Sequence, residues 1–250
     1  MFLAIPLGMY AAFCLIVFLT QRSQIYFPVP ESRAAVGEAM QVEVDGARLK
    51  VWAVRRPGPE ALLYFGGNAE DVAASVAPFS TVLPAHSLYF VNYRGYGGST
   101  GSPSEDALVA DAIALHDRLR PLQPELCVMG RSLGSSVAMQ LAAARDVPCL
   151  VLVTPFDSLA NVARHHFRWL PVGLLLRDRY DSTARADKVA ARTLVVIAAR
   201  DEIIPRARSE ALVAALPAAR TRVVVLEGAR HNDLDASPDY LPELRRFLSR

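Results

Sequence analysis

The sequence has few cysteines and little net charge. Its 250 residues include three cysteines and carry a formal net charge of +2 at pH 7. Cys14, Cys127 and Cys149 lie in an apolar N-terminal run and in two predicted buried strands, and their spacing fits neither a metal-ligand set nor a disulfide framework. We therefore interpret all three as small, buried apolar residues.

Other signatures are also missing. The chain has no CxxC motif, no HExxH motif and no phosphate-binding P-loop, so we expect no metal and no cofactor. Its basic residues are almost all arginines, and they are scattered along the chain rather than gathered on one helix or tail. This distribution argues against a nucleic-acid partner.

Short apolar runs separated by helical stretches dominate the remainder of the chain. With 52% hydrophobic residues, the sequence can form one sizeable core, and its alternating pattern favours a single α/β domain. The turn Asp45-Gly46 predicts an antiparallel hairpin between the first two strands. Six later runs suit strands of a mostly parallel sheet with helices on both faces. The eight predicted strands cover residues 40–45, 49–54, 61–65, 87–92, 126–129, 150–154, 193–198 and 222–226.

A longer stretch over residues 157–190 interrupts the strand spacing and predicts a small cap. It contains the apolar residues Phe167, Trp169 and Leu170. Such a cap would bind an acyl chain or dip toward a bilayer. The alternative is a helix that packs on the core without a binding role.

The N-terminal segment predicts a membrane anchor. Residues 1–19 carry no charged side chain, and at about 1.5 Å per residue a helix of this length just crosses a hydrocarbon core of about 30 Å. A cleaved signal peptide or a buried helix is the alternative, although the segment lacks a basic start and a clear cleavage site. We divide the chain into a transmembrane helix at 1–21, a tether at 22–37 and a catalytic domain at 38–250. Arg22 and Arg33 follow the span, which places that domain in the cytoplasm.

The segment CVMGRSLGS at residues 127–135 predicts a nucleophile elbow. It places Ser132 on a sharp turn between an apolar strand and an alanine-rich helix, with Gly130 and Gly134 leaving room for the two elements to pass. The Leu133 N–H, at the start of the helix, is a candidate oxyanion donor. The alternative is that Ser132 only caps the helix.

A serine nucleophile requires a histidine base and a carboxylate that orients it. Asp201 and His231 each stand just past a late strand, in the chain order Ser, Asp, His that is typical of α/β hydrolases. Glu202 and Asp157 are the rival acids. We favour Asp201.

The other histidines are placed less well for catalysis. His86 precedes a strand and so lies at the opposite end of the sheet, and His116 falls in a surface-like helix. His165 and His166 fall in the predicted cap. His231 is therefore the candidate base.

A second oxyanion donor is expected in the loop after the third strand. The segment FGGNA at residues 65–69 has two glycines that allow close approach of the backbone, and we select the Asn68 N–H. An ordinary Gly-Gly turn into a helix is the alternative.

These segments, together with NYRGYGGSTGSPSE at residues 92–105, resemble the α/β-hydrolase domain-containing proteins of the bud-emergence-homologue group. The resemblance covers nearly the whole chain and implies a Ser132, Asp201, His231 triad that cleaves acyl esters, lysophospholipids or acyl thioesters. That group often has His-Gly-Asn where this chain has Gly66-Gly67-Asn68. Arg94 is interpreted as a structural residue that ties its glycine-rich loop to a carboxylate or to carbonyls.

The sequence thus predicts a membrane-tethered serine hydrolase with an α/β-hydrolase fold, no cofactor and a lipid-like acyl substrate. A peptidase or amidase on the same scaffold is one alternative. A catalytically silent interaction module in the membrane is the other.

Overall fold

The computed structural model describes residues 4–249, which form one eight-stranded sheet flanked by eight α-helices. The strands are β1 Glu38–Val44, β2 Ala47–Val54, β3 Glu60–Phe65, β4 Ser87–Val91, β5 Glu125–Arg131, β6 Cys149–Val153, β7 Arg192–Ala198 and β8 Thr221–Leu226. The helices are α1 Ala4–Ile25, α2 Val72–Val82, α3 Glu105–Leu119, α4 Leu133–Ala144, α5 Leu159–His166, α6 Val172–Leu175, α7 Arg206–Ala215 and α8 Tyr240–Leu248. Short 3-10 helices cover Thr183–Lys188, Ala218–Arg220 and Leu234–Ala236.

The sheet has the strand order β1-β2-β4-β3-β5-β6-β7-β8. β1 and β2 form the antiparallel hairpin predicted from the sequence, β2 pairs antiparallel with β4, and all later neighbours are parallel. The predicted mostly parallel sheet is therefore confirmed. Because β3, β5, β7 and β8 are parallel, their carboxyl ends meet at one edge of the sheet.

Both faces of the sheet are covered, which explains why its central strands are continuous apolar runs. Every residue of β4 and β6 is buried. Apolar side chains of α3, α4 and α7 pack on one face. Those of α2 and α8 pack on the other.

The N-terminal segment differs from the prediction. Among the residues that the structure describes, no helix is both long enough and apolar enough to cross a membrane, so the predicted transmembrane helix over residues 1–21 is not found. The helix α1, Ala4–Ile25, ends in the polar run from Thr20 to Gln24 followed by Ile25. Residues 1–3 of the predicted anchor lie outside the described part of the chain.

α1 packs against the segment between β6 and β7. Near its middle, the Phe13 ring lies 5.3 Å from that of Trp169, and the Tyr10 hydroxyl donates to the Trp169 carbonyl at 2.6 Å. Near its end, the Gln21 amide donates to the Leu175 carbonyl at 3.0 Å and accepts from the Arg177 N–H at 2.7 Å. The helix is therefore held along its length by the region predicted to be a cap, in which the structure places α5, α6 and the 3-10 helix Thr183–Lys188.

The interpretation of all three cysteines as unpaired apolar residues is wrong for two of them. Cys127 on β5 and Cys149 on β6 form a disulfide, whereas Cys14 is free. Parallel pairing of Val128 with Leu150 brings the two preceding residues side by side, with a Cα–Cα distance of 4.8 Å. The spacing of the cysteines in the sequence does not predict how β5 and β6 align.

We expect the disulfide to be detectable by thiol counting. Alkylation of the denatured, unreduced chain will modify Cys14 alone, and prior reduction will expose Cys127 and Cys149 as well. The two cysteines are 22 positions apart in the sequence, so loss of this crosslink in Cys149→Ala will lower the free energy of unfolding by about 3 kcal/mol. Cys14→Ala is the matched control. Modification of all three cysteines before reduction would contradict the crosslink.

Candidate active site

Ser132 occupies a strained turn between β5 and α4. Its backbone has φ 51° and ψ −116°, a conformation that L-residues rarely adopt. A Cβ on Gly130 would collide with the Gly134 carbonyl, and one on Gly134 would collide with the Phe65 carbonyl. The predicted close passage of strand and helix is confirmed, since only glycine fits at either position.

The Ser132 hydroxyl is the first member of a chain of three side chains. His231 Nε2 lies 3.0 Å from Ser132 Oγ, and His231 Nδ1 lies 2.7 Å from Asp201 Oδ2. Ser132 makes no capping hydrogen bond to α4, so the structure does not support the alternative of a simple helix cap. The three residues come from the carboxyl ends of β5, β7 and β8.

The carboxylate and the imidazole are fixed in place. Asp201 Oδ1 accepts hydrogen bonds from the Ile203 N–H at 2.9 Å and the Ile204 N–H at 2.7 Å, leaving Oδ2 for His231. Both side chains are buried. This arrangement holds the imidazole with one nitrogen toward the carboxylate and the other toward the serine.

Arg131 and Glu70 support the loops on either side of Ser132. Arg131 Nη2 donates to the His231 carbonyl at 3.0 Å, and its Nη1 lies 3.8 Å from Glu70 Oε2. Glu70 Oε2 also accepts the Gly67 N–H at 2.7 Å, and Glu70 Oε1 accepts the Tyr64 hydroxyl at 2.7 Å. One charged pair thus connects the loop of the base to the loop after β3.

The two predicted oxyanion donors lie beside Ser132. Leu133 is the first residue of α4, where a backbone N–H has no acceptor within the helix. Asn68 lies in the loop after β3 and lines the same pocket as Ser132 and Leu133. Since Glu70 already takes the Gly67 N–H, the Asn68 N–H is the better placed donor of that loop.

The glycine-rich segment after β4 holds the Asn68 loop. The Tyr96 hydroxyl donates to Asn68 Oδ1 at 2.8 Å, and the Tyr93 hydroxyl donates to the Gly66 carbonyl at 2.7 Å. Burial raises the pKa of Tyr96 to about 12 and also raises that of Tyr93, so both hydroxyls remain donors at neutral pH. Arg94 makes two hydrogen bonds of 2.7 Å to Asp111, which confirms its structural interpretation.

An apolar pocket of about 480 Å³ opens above Ser132. Its volume lies within the range of small-molecule sites. Most of its lining side chains are aliphatic or aromatic, and they come from α1, α5, α6 and the loop after Asp201.

A solved structure shares this fold. The Pyrococcus furiosus esterase Pf2001 superimposes with a TM-score of 0.71 at 17% identity, covering 89% of this chain and 99% of the esterase, which shows a shared fold. No protein-family model matches the chain.

Relatives are also found by sequence. The uncharacterized protein Rv2307c of Mycobacterium tuberculosis is 40% identical over 253 residues, which is 93% of this chain and 89% of that protein. The mouse Alpha/beta hydrolase domain-containing protein 17C is 30% identical over 195 residues, which is 75% of this chain and 59% of that protein. The chain has the α/β-hydrolase fold.

The two rival acids do not contact the imidazole. Glu202 accepts the His231 backbone N–H at 3.4 Å and pairs with Arg230 at 3.5 Å, so its carboxylate does not face the imidazole. Asp157 is buried against Asn161 and Arg208. Of these three carboxylates, Asp201 is the one that is hydrogen-bonded to the His231 ring.

The remaining histidines do not join the triad. His86 contacts the Leu248 carbonyl, and the ring of His165 meets that of His166 edge to face. His116 is buried beside Asp117, on the helix α3, whose outer face carries the exposed Asp117 and Arg118. His166 contacts the Ile203 carbonyl at 2.9 Å and lines the pocket. Within residues 4–249, no cluster of His, Cys, Asp and Glu suited to hold a metal ion is found.

Sequence analysis missed Glu70, Arg131 and the α1 side chains that line the pocket. Arg131 stands next to the nucleophile and Glu70 stands two residues after Asn68, so their proximity to the motifs was the available signal. The contribution of α1 had no such signal. A segment read as a membrane anchor gives no reason to expect contact with the site.

The elbow glycines yield a stability prediction. Gly134→Ala will lower the free energy of unfolding by about 2 kcal/mol or more, because the added methyl group overlaps the Phe65 and Gly66 carbonyls. Gly228→Ala is the control, since its added Cβ meets nothing within 4 Å. Urea unfolding followed by circular dichroism measures both. Equal midpoints for the two variants would contradict the packing argument.

Proposed function

We propose that this α/β hydrolase is a serine esterase that cleaves acyl esters through an acyl-enzyme intermediate on Ser132. The observation that carries the proposal is the hydrogen-bonded series Ser132, His231 and Asp201 at the base of an apolar pocket. A hydroxyl paired with an oriented imidazole is an activated nucleophile. The apolar walls favour a hydrocarbon acyl group.

The proposed first half-reaction forms the acyl-enzyme. Ser132 Oγ attacks the ester carbonyl carbon while His231 Nε2 takes the hydroxyl proton, and Asp201 stabilises the resulting imidazolium. The carbonyl oxygen becomes an oxyanion that accepts from the Asn68 and Leu133 N–H groups. His231 then gives the proton to the departing alkoxide, which leaves as an alcohol.

The second half-reaction reverses these roles with water. His231 Nε2 accepts a proton from water as its oxygen attacks the acyl carbon, and the same two N–H groups receive the new oxyanion. Collapse of this intermediate breaks the bond to Ser132 Oγ, which recovers a proton from His231. The products are a carboxylic acid and free enzyme.

The choice of substrate class is supported by the pocket and by the comparisons. An esterase shares the fold, and the pocket supplies a largely apolar wall for an acyl chain. We extend the proposal to lipid-like esters, lysophospholipids and acyl thioesters, and place the chain in the bud-emergence-homologue group. The YRGYG segment and its contacts with the Asn68 loop support that placement.

The nucleophile is tested by fluorophosphonate labelling. The wild type will react covalently with the probe, and Ser132→Ala will lose both labelling and ester hydrolysis because no other side chain replaces the attacking oxygen. Unchanged thermal unfolding of the variant shows that the fold is kept. Labelling of Ser132→Ala would assign the activity to another residue, and an unlabelled, folded wild type would favour the silent interaction module.

The acid is tested by a pair of neighbouring substitutions. Asp201→Asn will lower kcat for ester hydrolysis by about 10⁴-fold, because the neutral amide favours the wrong imidazole tautomer. Glu202→Gln will have a small effect on kcat, because the Glu202 carboxylate contacts the His231 backbone N–H and the Arg230 side chain and not the imidazole. Steady-state kinetics on the same ester decides the assignment. The reverse order of effects would make Glu202 the acid.

A further inference from the structure

One face of α1 lines the pocket above Ser132. The side chains on that face are Phe13, Val17, Gln21, Gln24 and Ile25. Their spacing of four, four and three residues, followed by the adjacent Ile25, is that of a single helical face. The intervening Leu15, Ile16 and Leu19 are exposed and belong to the other side of the helix.

We propose that α1 is the wall of the acyl-binding site, and that Val17 and Phe13 determine which acyl-chain lengths the enzyme accepts. This inference rests on the proposed esterase function. It assigns a substrate-recognition role to a segment whose sequence indicates a membrane anchor.

The end of α1 is fastened to the oxyanion loop. Asn68 Nδ2 donates to the Ile25 carbonyl at 2.6 Å, and Asn68 Oδ1 accepts the Phe27 N–H at 3.0 Å. The residue that supplies a proposed oxyanion donor from its backbone therefore holds α1 through its side chain. This contact fixes the position of the wall relative to Ser132.

A second contact fixes the direction in which α1 runs. Arg22 pairs with the buried Asp178 at 3.1 Å, and Tyr26 donates to the same carboxylate at 3.0 Å. From Ile25 the helix runs back along the pocket, and at about 1.5 Å per residue Phe13 lies about 18 Å along the axis from that end. Val17 lies between them.

The two ends of the wall differ in polarity. The Gln21 amide is already engaged by Leu175 and Arg177, so it offers little to a ligand. Beyond it the wall is formed by Val17 and Phe13, which face apolar residues of the α5–α6 region. Phe13 is 41% exposed and Trp169 57% exposed, so the pocket opens to solvent at this aromatic rim.

These features predict how kcat/KM depends on the length of the acyl chain. An ester whose carbonyl is at Ser132 directs its acyl tail along α1, first past Gln21 and then past Val17. Each buried methylene contributes up to about fourfold in kcat/KM, until the tail reaches the open rim near Phe13. A bulky side chain at position 17 shortens the usable length.

The test compares p-nitrophenyl laurate with p-nitrophenyl butyrate in the purified full chain. Val17→Trp will lower the laurate-to-butyrate ratio of kcat/KM by about tenfold or more, since the indole occupies the space of the distal methylenes. Val17→Phe will lower it by less. Ile16→Trp is the matched control, because Ile16 is 58% exposed and is not among the residues that line the pocket, and its ratio will equal that of the wild type.

The outcomes separate this inference from the esterase proposal. Fluorophosphonate labelling of each variant shows that its active site is intact, and Val17→Phe replaces Val17→Trp if the latter does not fold. A wild-type ratio in the labelled position-17 variants, or an equal fall in Ile16→Trp, would overturn the role of α1 while leaving the esterase intact. A wild type that is neither labelled nor active on any ester would overturn both.

Discussion

The close passage of α4 over β3 and β5 is the constraint on which the site depends. Gly134 packs against the Phe65 carbonyl and Gly130 against the backbone of α4, so neither position tolerates a side chain. That packing holds Ser132 at positive φ and sets Leu133 at the start of the helix. The strain at one residue is thus offset by tight packing of the elements around it.

The loops around Ser132 are held in place by side chains that do not line the pocket. Arg131 connects the loop of His231 with Glu70, and Glu70 holds the backbone of Gly67. Tyr96 and the end of α1 hold the next residue, Asn68. The loop after β3 is therefore held by four separate stretches of the chain, which are the end of β5 at Arg131, the loop of His231, the YRGYG segment and the end of α1. The physical role of the YRGYG segment is to hold this loop in position.

Much of this arrangement follows from sequence patterns, because strands and the loops after them leave periodic signals. Every predicted strand is present, and Ser132, Asp201 and His231 lie at the carboxyl ends where the pattern indicates. The Cys127–Cys149 disulfide depends on register between β5 and β6, which periodicity does not encode. The contribution of α1 to the pocket could not be predicted, because its composition suits both a bilayer and an apolar pocket, and only the partner surface distinguishes them.

The attachment of α1 to Asn68 has a practical consequence for the preparation of this protein. Apolar N-terminal segments are commonly removed before purification, and a cut at the predicted tether boundary would delete residues 1–37. The shortened chain would retain Ser132, Asp201 and His231, yet the Asn68 side chain would lose its contacts with Ile25 and Phe27. Weak activity in such a preparation would describe the truncated chain rather than the native protein.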